Sequence, residues 1–299
     1  MNATAPEYVI EAENVRRAFG GVEALRGLTL RVPRGSLYGF LGRNGAGKTT
    51  AIKTIAGLLR PDSGTVRVLG ADPFAFTPDE RRRVGYVSEK QVLPTHMTVG
   101  ALLKFTASFY PAWDHELVRR LVDRFRLGEK RKVAALSQGG QRQVAFLMAL
   151  AHRPELLVLD EPASTLDVVA RREFLDEVLD VLRQGGPTVF LSSHILSDVE
   201  RVADQVGILA DGVLRVSEPL DALKETVKRI RFHSFRNGAA EVSLPGAFRQ
   251  SRSADGRELL VTARMADDGA AARAALDAGA SYEVEDLGLE DIFVELSRS

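Results

Sequence analysis

The chain has 299 residues, enough for about two domains, and 45% of them are hydrophobic, as expected of a globular protein with a sizeable core. Forty basic residues balance forty acidic ones, so the charge does not favour a nucleic-acid binder or a polybasic membrane-surface protein. No cysteine is present, which excludes disulfides, thiol catalysis and cysteine-bound metals and fits a reducing cytoplasm.

Neither the N-terminus nor any apolar run suggests insertion into a membrane. The sequence MNATAPEYVIEAENV lacks a basic segment followed by an apolar one, so we expect no secretory signal there. The most apolar segments, AFLMALA and ELLVLDEP, are too short to span a bilayer. Work at a membrane would therefore require a partner protein.

The first predicted elements are strands followed by a helix. YVIEAENV and GLTLRV alternate apolar and polar residues, and SLYGFLG is a short apolar run that ends in glycine. The next segment, KTTAIKTIAGLL, has helical spacing, with one face made by Ile52, Ile55, Ala56 and Leu59. RVGYVSE, at 83–89, is a further candidate for a buried strand.

A helical insertion is predicted over about 90–136. One stripe is made by Leu102, Leu103, Thr106 and Phe109, and a second by Leu117, Leu121, Val122 and Phe125. Asp114 stands before the second stripe as a predicted N-cap. A third helix follows in SQGGQRQVAFLMALAHRP.

The remaining elements define the fold class. ELLVLDEP and PTVFLSSH are predicted strands, and VGILADGVLRV is a predicted hairpin around Asp211 and Gly212. Strands that alternate with helices indicate an α/β fold with a mostly parallel sheet.

Composition changes after about Ser217. RIRFHSF, ELLVTARM and SYEVEDL are predicted strands, DDGAAARAALDAGA an Ala-rich helix, and LEDIFVELS a last amphipathic helix. We therefore predict domains at 1–217 and 218–299, the second a small α+β accessory domain without a catalytic constellation. Its His233 is most simply a strand histidine.

The sequence GRNGAGKT matches the G-x4-G-K-[ST] phosphate loop and lies between a predicted strand and a predicted helix. Glycines let successive N–H groups face one anion, and the following helix adds the positive end of its dipole. Lys48 is expected to reach the β- and γ-phosphates, and the Thr49 hydroxyl to bind Mg²⁺. The predicted nucleotide contacts are Gly42, Asn44, Gly45, Ala46, Gly47, Lys48, Thr49 and Thr50.

Acidic residues end the apolar run LLVLDE, which places them beside the phosphate loop in such a sheet. Asp160 is expected to hold Mg²⁺ through water, and Glu161 to polarise the attacking water. His194 follows the strand TVFL and is expected to contact the γ-phosphate and stabilise the transition state. Taken alone, His194 would be an ordinary loop histidine.

A second candidate anion site lies at Ser137, Gln138, Gly139 and Gly140, where a serine and two glycines open a long helix. One phosphate loop already suffices for one nucleotide. We therefore expect the second site to serve a different molecule.

The order of these motifs resembles the ATP-binding cassette (ABC) ATPase family over about residues 7–216. The resemblance implies a P-loop NTPase fold with an antiparallel N-terminal β part. It makes Phe19 the aromatic that stacks on adenine, GYVSE the Q-loop, LSQGG the signature motif, STLD the D-loop and His194 the switch histidine. It also implies that each nucleotide lies between the phosphate loop of one subunit and the signature helix of another. The partner is then a second copy or a homologous ATPase subunit.

Two positions depart from the family pattern. Glu89 stands at the usual Gln of the Q-loop, where it is still expected to contact Mg²⁺ or the attacking water, but as an anion. The signature reads Leu-Ser-Gln-Gly-Gly, with Gln141 one place late. Contacts of Ser137 and the Gly139 N–H with the γ-phosphate are expected to survive this change, whereas the sequence leaves the fifth-position contact open.

The segments MTVGALLKFTASFYPAWD, ALAHRPELLVLDEP and LEDIFVELS resemble exporter-type subunits of bacitracin-resistance and acetoin-utilisation-like systems. This implies a cytoplasmic ATPase that docks, through an integral-membrane permease, on the inner face of the cell membrane. One alternative is a soluble cassette ATPase acting on ribosomes or DNA, although the charge favours no nucleic-acid partner. Another is a catalytically weak subunit of a heterodimer, which the altered signature suggests and the presence of Lys48, Glu161 and His194 opposes.

Overall fold

Strands and helices alternate through most of the first unit of the computed structural model, which describes residues 7–235, 242–253, 257–265 and 269–297. The chain divides into two compact units, Met1–Ser217 and Glu218–Ser299. The strands of the first unit are β1 (Tyr8–Phe19), β2 (Val22–Pro33), β3 (Leu37–Gly42), β4 (Ser63–Val68), β5 (Val84–Val87), β6 (Leu156–Asp160), β7 (Thr188–Ser193), β8 (Gln205–Ala210) and β9 (Val213–Pro219). Its helices are α1 (Lys48–Ile55), α2 (Pro78–Arg82), α3 (Val99–Ala107), α4 (His115–Arg124), α5 (Gln138–Leu150), α6 (Val168–Arg183) and α7 (Leu196–Val202).

The central sheet has six strands in the order β5-β6-β7-β3-β8-β9. β3 pairs in parallel with β7 and β8, and β6 pairs in parallel with β5 and β7. All residues of β3, β6 and β7 are buried, which is why these segments are short apolar runs without alternation. The predicted α/β class with a mostly parallel sheet is confirmed. The carboxyl ends of β3 and β6 carry the phosphate loop and the predicted acidic residues to one edge.

A separate three-stranded antiparallel sheet, in the order β2-β1-β4, confirms the predicted N-terminal β part. Its apolar side chains pack in one cluster with α1 and with buried residues of β3 and β6. This cluster fixes the β1–β2 hairpin beside the helix that follows the phosphate loop. The first six residues, where no secretory signal is expected, lie outside the described residues.

Helix α1 is shorter than its predicted pattern. It ends at Ile55, and Gly57 takes a left-handed φ of +71°. A Cβ at Gly57 would lie 2.4 Å from the carbonyl oxygen of Pro73, so the turn depends on glycine. Ile52 and Ile55 are buried as predicted, but Ala56 and Leu59 lie beyond the helix.

The insertion contains α3, α4 and a short 3-10 turn at Val133–Ala135. The Asp114 carboxylate accepts a hydrogen bond from the Leu117 N–H at 2.9 Å, which confirms the predicted N-cap. Phe109 does not continue the buried stripe, because α3 ends at Ala107; its side chain is 58% exposed and stands edge-on to Phe105.

Helix α6, which no sequence pattern predicted, connects the insertion to the core. Its Glu177 is fully buried, accepts two hydrogen bonds from Arg120 and is also paired with Arg124, both on α4. A buried carboxylate needs such partners, because an unpaired buried charge is strongly unfavourable. These ion pairs join α4 to α6.

The second unit is built on a four-stranded antiparallel sheet. Its strands are β10 (Val227–His233), β11 (Ala247–Arg252), β12 (Leu259–Arg264) and β13 (Ser281–Asp286), in the order β11-β12-β10-β13. Its helices are α8 (Leu220–Thr226), α9 (Gly269–Ala278) and α10 (Leu289–Ser297). Ile230, Phe232 and Val261 pack against alanines of α9. This agrees with the predicted α+β class; Asp267 and Asp268, at the start of the predicted Ala-rich helix, lie outside the described residues.

Among the described residues, no helix combines the length and the apolar character that crossing a bilayer requires.

His152, just after α5, is buried and stacks on Tyr110 with ring centroids 4.2 Å apart. Its Nδ1 has no hydrogen-bond partner among the described residues. Burial lowers the pKa of His152 to about 4. An imidazole with this environment is held neutral in the folded chain.

We expect the free energy of unfolding to fall as the pH drops from about 6.5 to about 4, because the unfolded His152 takes up a proton in that window and the folded one does not. The loss amounts to at most about 3 kcal/mol. His152→Phe keeps the stack and removes the titration, so its urea unfolding should depend less on pH. His115→Gln, at an exposed histidine, is the control and should keep the pH dependence of the parent. An unchanged pH dependence in His152→Phe would contradict the assignment of this stability loss to His152.

Candidate nucleotide site

The phosphate loop lies between β3 and α1 and depends on two glycine conformations. Gly45 and Gly47 have φ values of +83° and +105°, which glycine adopts at little cost. A Cβ at Gly47 would lie 2.4 Å from the carbonyl oxygen of Ala24 on β2, whereas nothing lies within 4 Å of a Cβ at Gly45. The loop is therefore packed against β2 on one side and open on the other.

Lys48, the first residue of α1, carries the positive charge of the loop. Its side chain is 7% exposed, and its Nζ donates to the carbonyl oxygen of Gly42 at 2.7 Å. The same Nζ lies 3.5 Å from Oε1 of Glu161. No acidic residue stands in the first turn of α1, so the helix dipole adds to the positive potential of the loop.

Glu161 is held from several sides. Its backbone is left-handed, with φ of +50°, which is a strained conformation for a residue with a Cβ. Its N–H donates to Ser192 Oγ at 3.0 Å, and its Oε2 lies 2.7 Å from Nδ1 of His194. The three predicted catalytic residues, Lys48, Glu161 and His194, therefore meet at one point.

Asp160, the residue before Glu161, lies at the buried end of β6. Its Oδ1 accepts a hydrogen bond from Ser192 Oγ at 2.8 Å, and its buried Oδ2 has no hydrogen-bond partner among the described residues. Burial raises the pKa of Asp160, the hydrogen bond from Ser192 opposes this, and the negative charges of Glu89 and Glu161 raise the pKa further. An unpartnered carboxylate oxygen among other anionic groups fits a cation.

The donor set at this point is made of oxygens. Thr49, Asp160 and Glu89 would supply a hydroxyl and two carboxylates, which suits Mg²⁺. Among the described residues, no group of three or more acidic or imidazole side chains forms a metal cage. Mg²⁺ is normally held by one or two carboxylates together with water and phosphate oxygens, so the residues present fit this ion.

An open cleft of about 440 Å³ lies over the phosphate loop, and the buried Asp160 is not among its lining residues. Among its lining residues are the predicted residues Asn44, Gly45, Gly47, Lys48, Thr49, Thr50, Glu89, Glu161 and His194. Ala24, Arg43 and Ser164 also line it and were not predicted; Arg43 and Ser164 lie inside recognised motifs, whereas Ala24 carries no sequence signal. Two further predicted residues do not line the cleft: Gly42 ends β3, and Ala46 is a buried residue of the loop.

The signature segment does not line this cleft. Ser137 is the N-cap of α5, and its Oγ accepts a hydrogen bond from the Gly140 N–H at 3.1 Å. Ser137 and Gln138 are exposed, whereas Gly139 is buried against Leu166. The segment presents a free helix start that is separate from the phosphate loop of its own chain.

Arg142 on α5 links the two acidic positions, and sequence reasoning gave it no role. Its Nη1 donates to the carbonyl oxygen of Glu161 at 2.7 Å, and its Nη2 donates to that of Glu89 at 2.6 Å. Burial lowers the pKa of Arg142, but an arginine stays protonated in proteins. No local sequence signal could reveal this residue, because its partners are distant in the chain.

Phe19 ends β1, next to the Gly20–Gly21 turn of the β1–β2 hairpin. Its side chain is 47% exposed, and the guanidinium carbon of Arg17 lies 4.8 Å from the ring centroid. Phe19 does not line the cleft itself. Ala24, farther along the same hairpin, does.

The parallel sheet, the glycine loop and the buried acidic strand end define a P-loop nucleotide-binding protein. Residues 25–164 match the family described as ABC transporter. The chain is 32% identical to the bacitracin transport ATP-binding protein BcrA of Bacillus licheniformis, over 73% of this chain and 72% of that protein. It is 29% identical to the daunorubicin/doxorubicin resistance ATP-binding protein DrrA of Streptomyces peucetius, over 98% of this chain and 94% of that protein.

A solved ATP-binding subunit of an ABC transporter aligns with a TM-score of 0.65 at 29% identity, over 73% of this chain and 92% of that one. The chain therefore belongs to the ATP-binding subunits of ABC transporters. The family predicted from the order of the motifs is confirmed.

Proposed function

We propose that this protein hydrolyses ATP with Mg²⁺ as a head-to-tail dimer and thereby drives a separate membrane permease, in the direction of export. The observation that carries the ATPase assignment is the meeting of Lys48, Glu161 and His194 at the mouth of the phosphate loop. Together they supply a phosphate-binding cation, a carboxylate base and an imidazole within one cleft.

The contacts of Lys48 indicate how binding prepares hydrolysis. Its ammonium lies between Gly42 O and Glu161, so a triphosphate in the loop competes with Glu161 for it. Glu161 then accepts a proton from the attacking water, and His194, bonded to Glu161, keeps the carboxylate oriented toward the γ-phosphate. Mg²⁺, held by Thr49, Asp160 and Glu89, would neutralise charge on the phosphate oxygens.

The exposed start of α5 supports a composite site. Ser137, Gln138, Gly139 and Gly140 would meet the nucleotide bound by a partner subunit, since they do not line the cleft of their own chain. The helix start offers N–H groups and a serine hydroxyl to a γ-phosphate. The catalytic residues being together argues against a weak ATPase subunit.

The insertion supports coupling to a permease. Val92, Phe105 and Phe109 expose large apolar side chains there, and the Arg120–Glu177 pair links α4 to the core helix α6. The names of BcrA and DrrA refer to transport and drug resistance, which favours an exporter over action on ribosomes or DNA. The proposed location is the cytoplasmic face of the cell membrane, through the permease.

Mixing two inactive variants tests the composite site. Lys48→Ala removes one phosphate loop and Ser137→Arg blocks one signature segment, so each variant alone should be inactive. In an equal mixture, half of the dimers carry one intact composite site out of two, and about a quarter of the parent ATPase activity should return. A mixture of folded variants that stays inactive would refute the head-to-tail arrangement.

A second measurement tests the permease. The tagged chain should appear in the membrane fraction only when a multi-span protein encoded beside it is co-expressed. Failure to associate under that condition would refute the transport assignment and leave the ATPase assignment intact.

A further inference from the structure

We propose that Asp62 and Arg17 are positioning residues that hold Phe19 as a platform for the nucleotide base. This inference rests on the proposed function, because it requires that ATP occupies the cleft. Asp62 lies between α1 and β4, forty-three positions after Phe19, and no motif of the sequence includes it in the site. Its hydrogen bonds reach the three residues that precede Phe19, and it does not line the cleft.

Asp62 binds the end of β1 with its backbone and both carboxylate oxygens. Its N–H donates to the carbonyl oxygen of Arg16 at 2.8 Å. Its Oδ1 accepts from Arg17 Nη1 at 2.6 Å, and its Oδ2 accepts from the Ala18 N–H at 2.7 Å. The residue next to Phe19 and the cation beside its ring are therefore fixed by one carboxylate.

The guanidinium of Arg17 covers one face of the Phe19 ring. Its Cζ lies 4.8 Å from the ring centroid, and its buried Nε has no hydrogen-bond partner among the described residues. The Arg17 guanidinium therefore forms a cation–π pair with the Phe19 ring. Since the side chain of Phe19 remains 47% exposed, surface is left for a flat ligand to stack on.

The hairpin that carries Phe19 contacts the phosphate loop. The β1–β2 hairpin packs on the loop, because the carbonyl oxygen of Ala24 lies against Gly47. Asp62 supplies a second link, because it follows α1, the helix that starts at the phosphate loop, and bonds the end of β1. This double attachment sets the distance between the base platform and the phosphate cradle, so it selects nucleotides over bare phosphate chains.

The test compares the affinities of ATP and inorganic tripolyphosphate, measured by calorimetry on the full chain. Asp62→Ala and Arg17→Ala should each weaken ATP binding about three- to tenfold and leave tripolyphosphate binding unchanged. Phe19→Ala should do the same, and Asp62→Ala should add little in that background. Asp62→Asn, which retains one acceptor for the Ala18 N–H, should fall between Asp62→Ala and the parent.

The matched control is Asp79→Ala, which breaks an exposed Asp–Arg pair with Arg82 on α2, away from the hairpin. Equal losses for both ligands in Asp62→Ala would show a general structural role and overturn the inference. So would an Asp62→Ala variant that binds ATP like the control while Phe19→Ala does not. If the parent chain binds neither ligand, the proposed function fails instead.

Discussion

Replacing Glu161 by Gln is expected to lower ATP turnover at least about a hundredfold and to leave ATP binding intact. The amide cannot take a proton from the attacking water at neutral pH. It has nearly the shape of the carboxylate, so the strained backbone at φ +50° and its hydrogen bond to Ser192 should persist. Loss of the negative charge at position 161 also leaves the γ-phosphate without a competitor for the Lys48 ammonium.

The variant should accumulate as an ATP-bound dimer, because closure then proceeds without hydrolysis. Phosphate release measures turnover, and size-exclusion chromatography with and without ATP measures the dimer. Glu116→Gln, the same change on the exposed first turn of α4, should behave like the parent. A Glu161→Gln protein that turns over at the parent rate would show that another group accepts the proton.

Replacing Lys48 by Ala is expected to weaken ATP binding itself, by roughly a hundredfold. Its Nζ is a buried cation bonded to Gly42 O and close to Glu161, so truncation leaves both of those groups with one partner fewer. It also leaves the negative charge of Glu161 facing the incoming phosphates without compensation. Titration with a fluorescent ATP analogue measures the effect.

Lys53→Ala provides the control, since Lys53 is an exposed lysine one turn further along α1. It should bind ATP like the parent. Equal affinities in Lys48→Ala and Lys53→Ala, with both proteins folded by circular dichroism, would remove Lys48 from the phosphate site. Together with Glu161→Gln, this pair of variants separates binding from hydrolysis.

Much of the architecture follows from short-range patterns. The buried strands before the phosphate loop and before Asp160 are visible as apolar runs, because strands covered on both faces need no polar alternation. The Asp114 cap is predictable because a cap contacts a residue only three positions away. The hairpin around Asp211 and Gly212 is visible for a similar reason, since its φ values favour those residue types.

Where the local patterns mislead, a contact from elsewhere in the chain is responsible or the helix simply stops. The stripe through Leu59 ends early because Gly57 turns the chain against Pro73. Phe109 leaves its stripe because α3 ends two residues before it. Helix α6 was not predicted, in part because one of its buried side chains, Glu177, is charged. The arginines that neutralise Glu177 lie on α4, more than fifty positions away.

The amino-acid sequence by itself determined the phosphate loop and the identity of the acidic and imidazole groups, because each rests on residues that are neighbours in the chain. The order of these motifs along the chain determined the family. Only the tertiary structure decided that Glu161 is bonded to His194, that Arg142 joins the carbonyls of Glu89 and Glu161, and that Asp62 holds the Phe19 hairpin. These contacts join residues 19 to 53 positions apart. Hydrogen bonds and ion pairs of this kind depend on ångström-scale distances, which the packing of sheets and helices sets and no local pattern records.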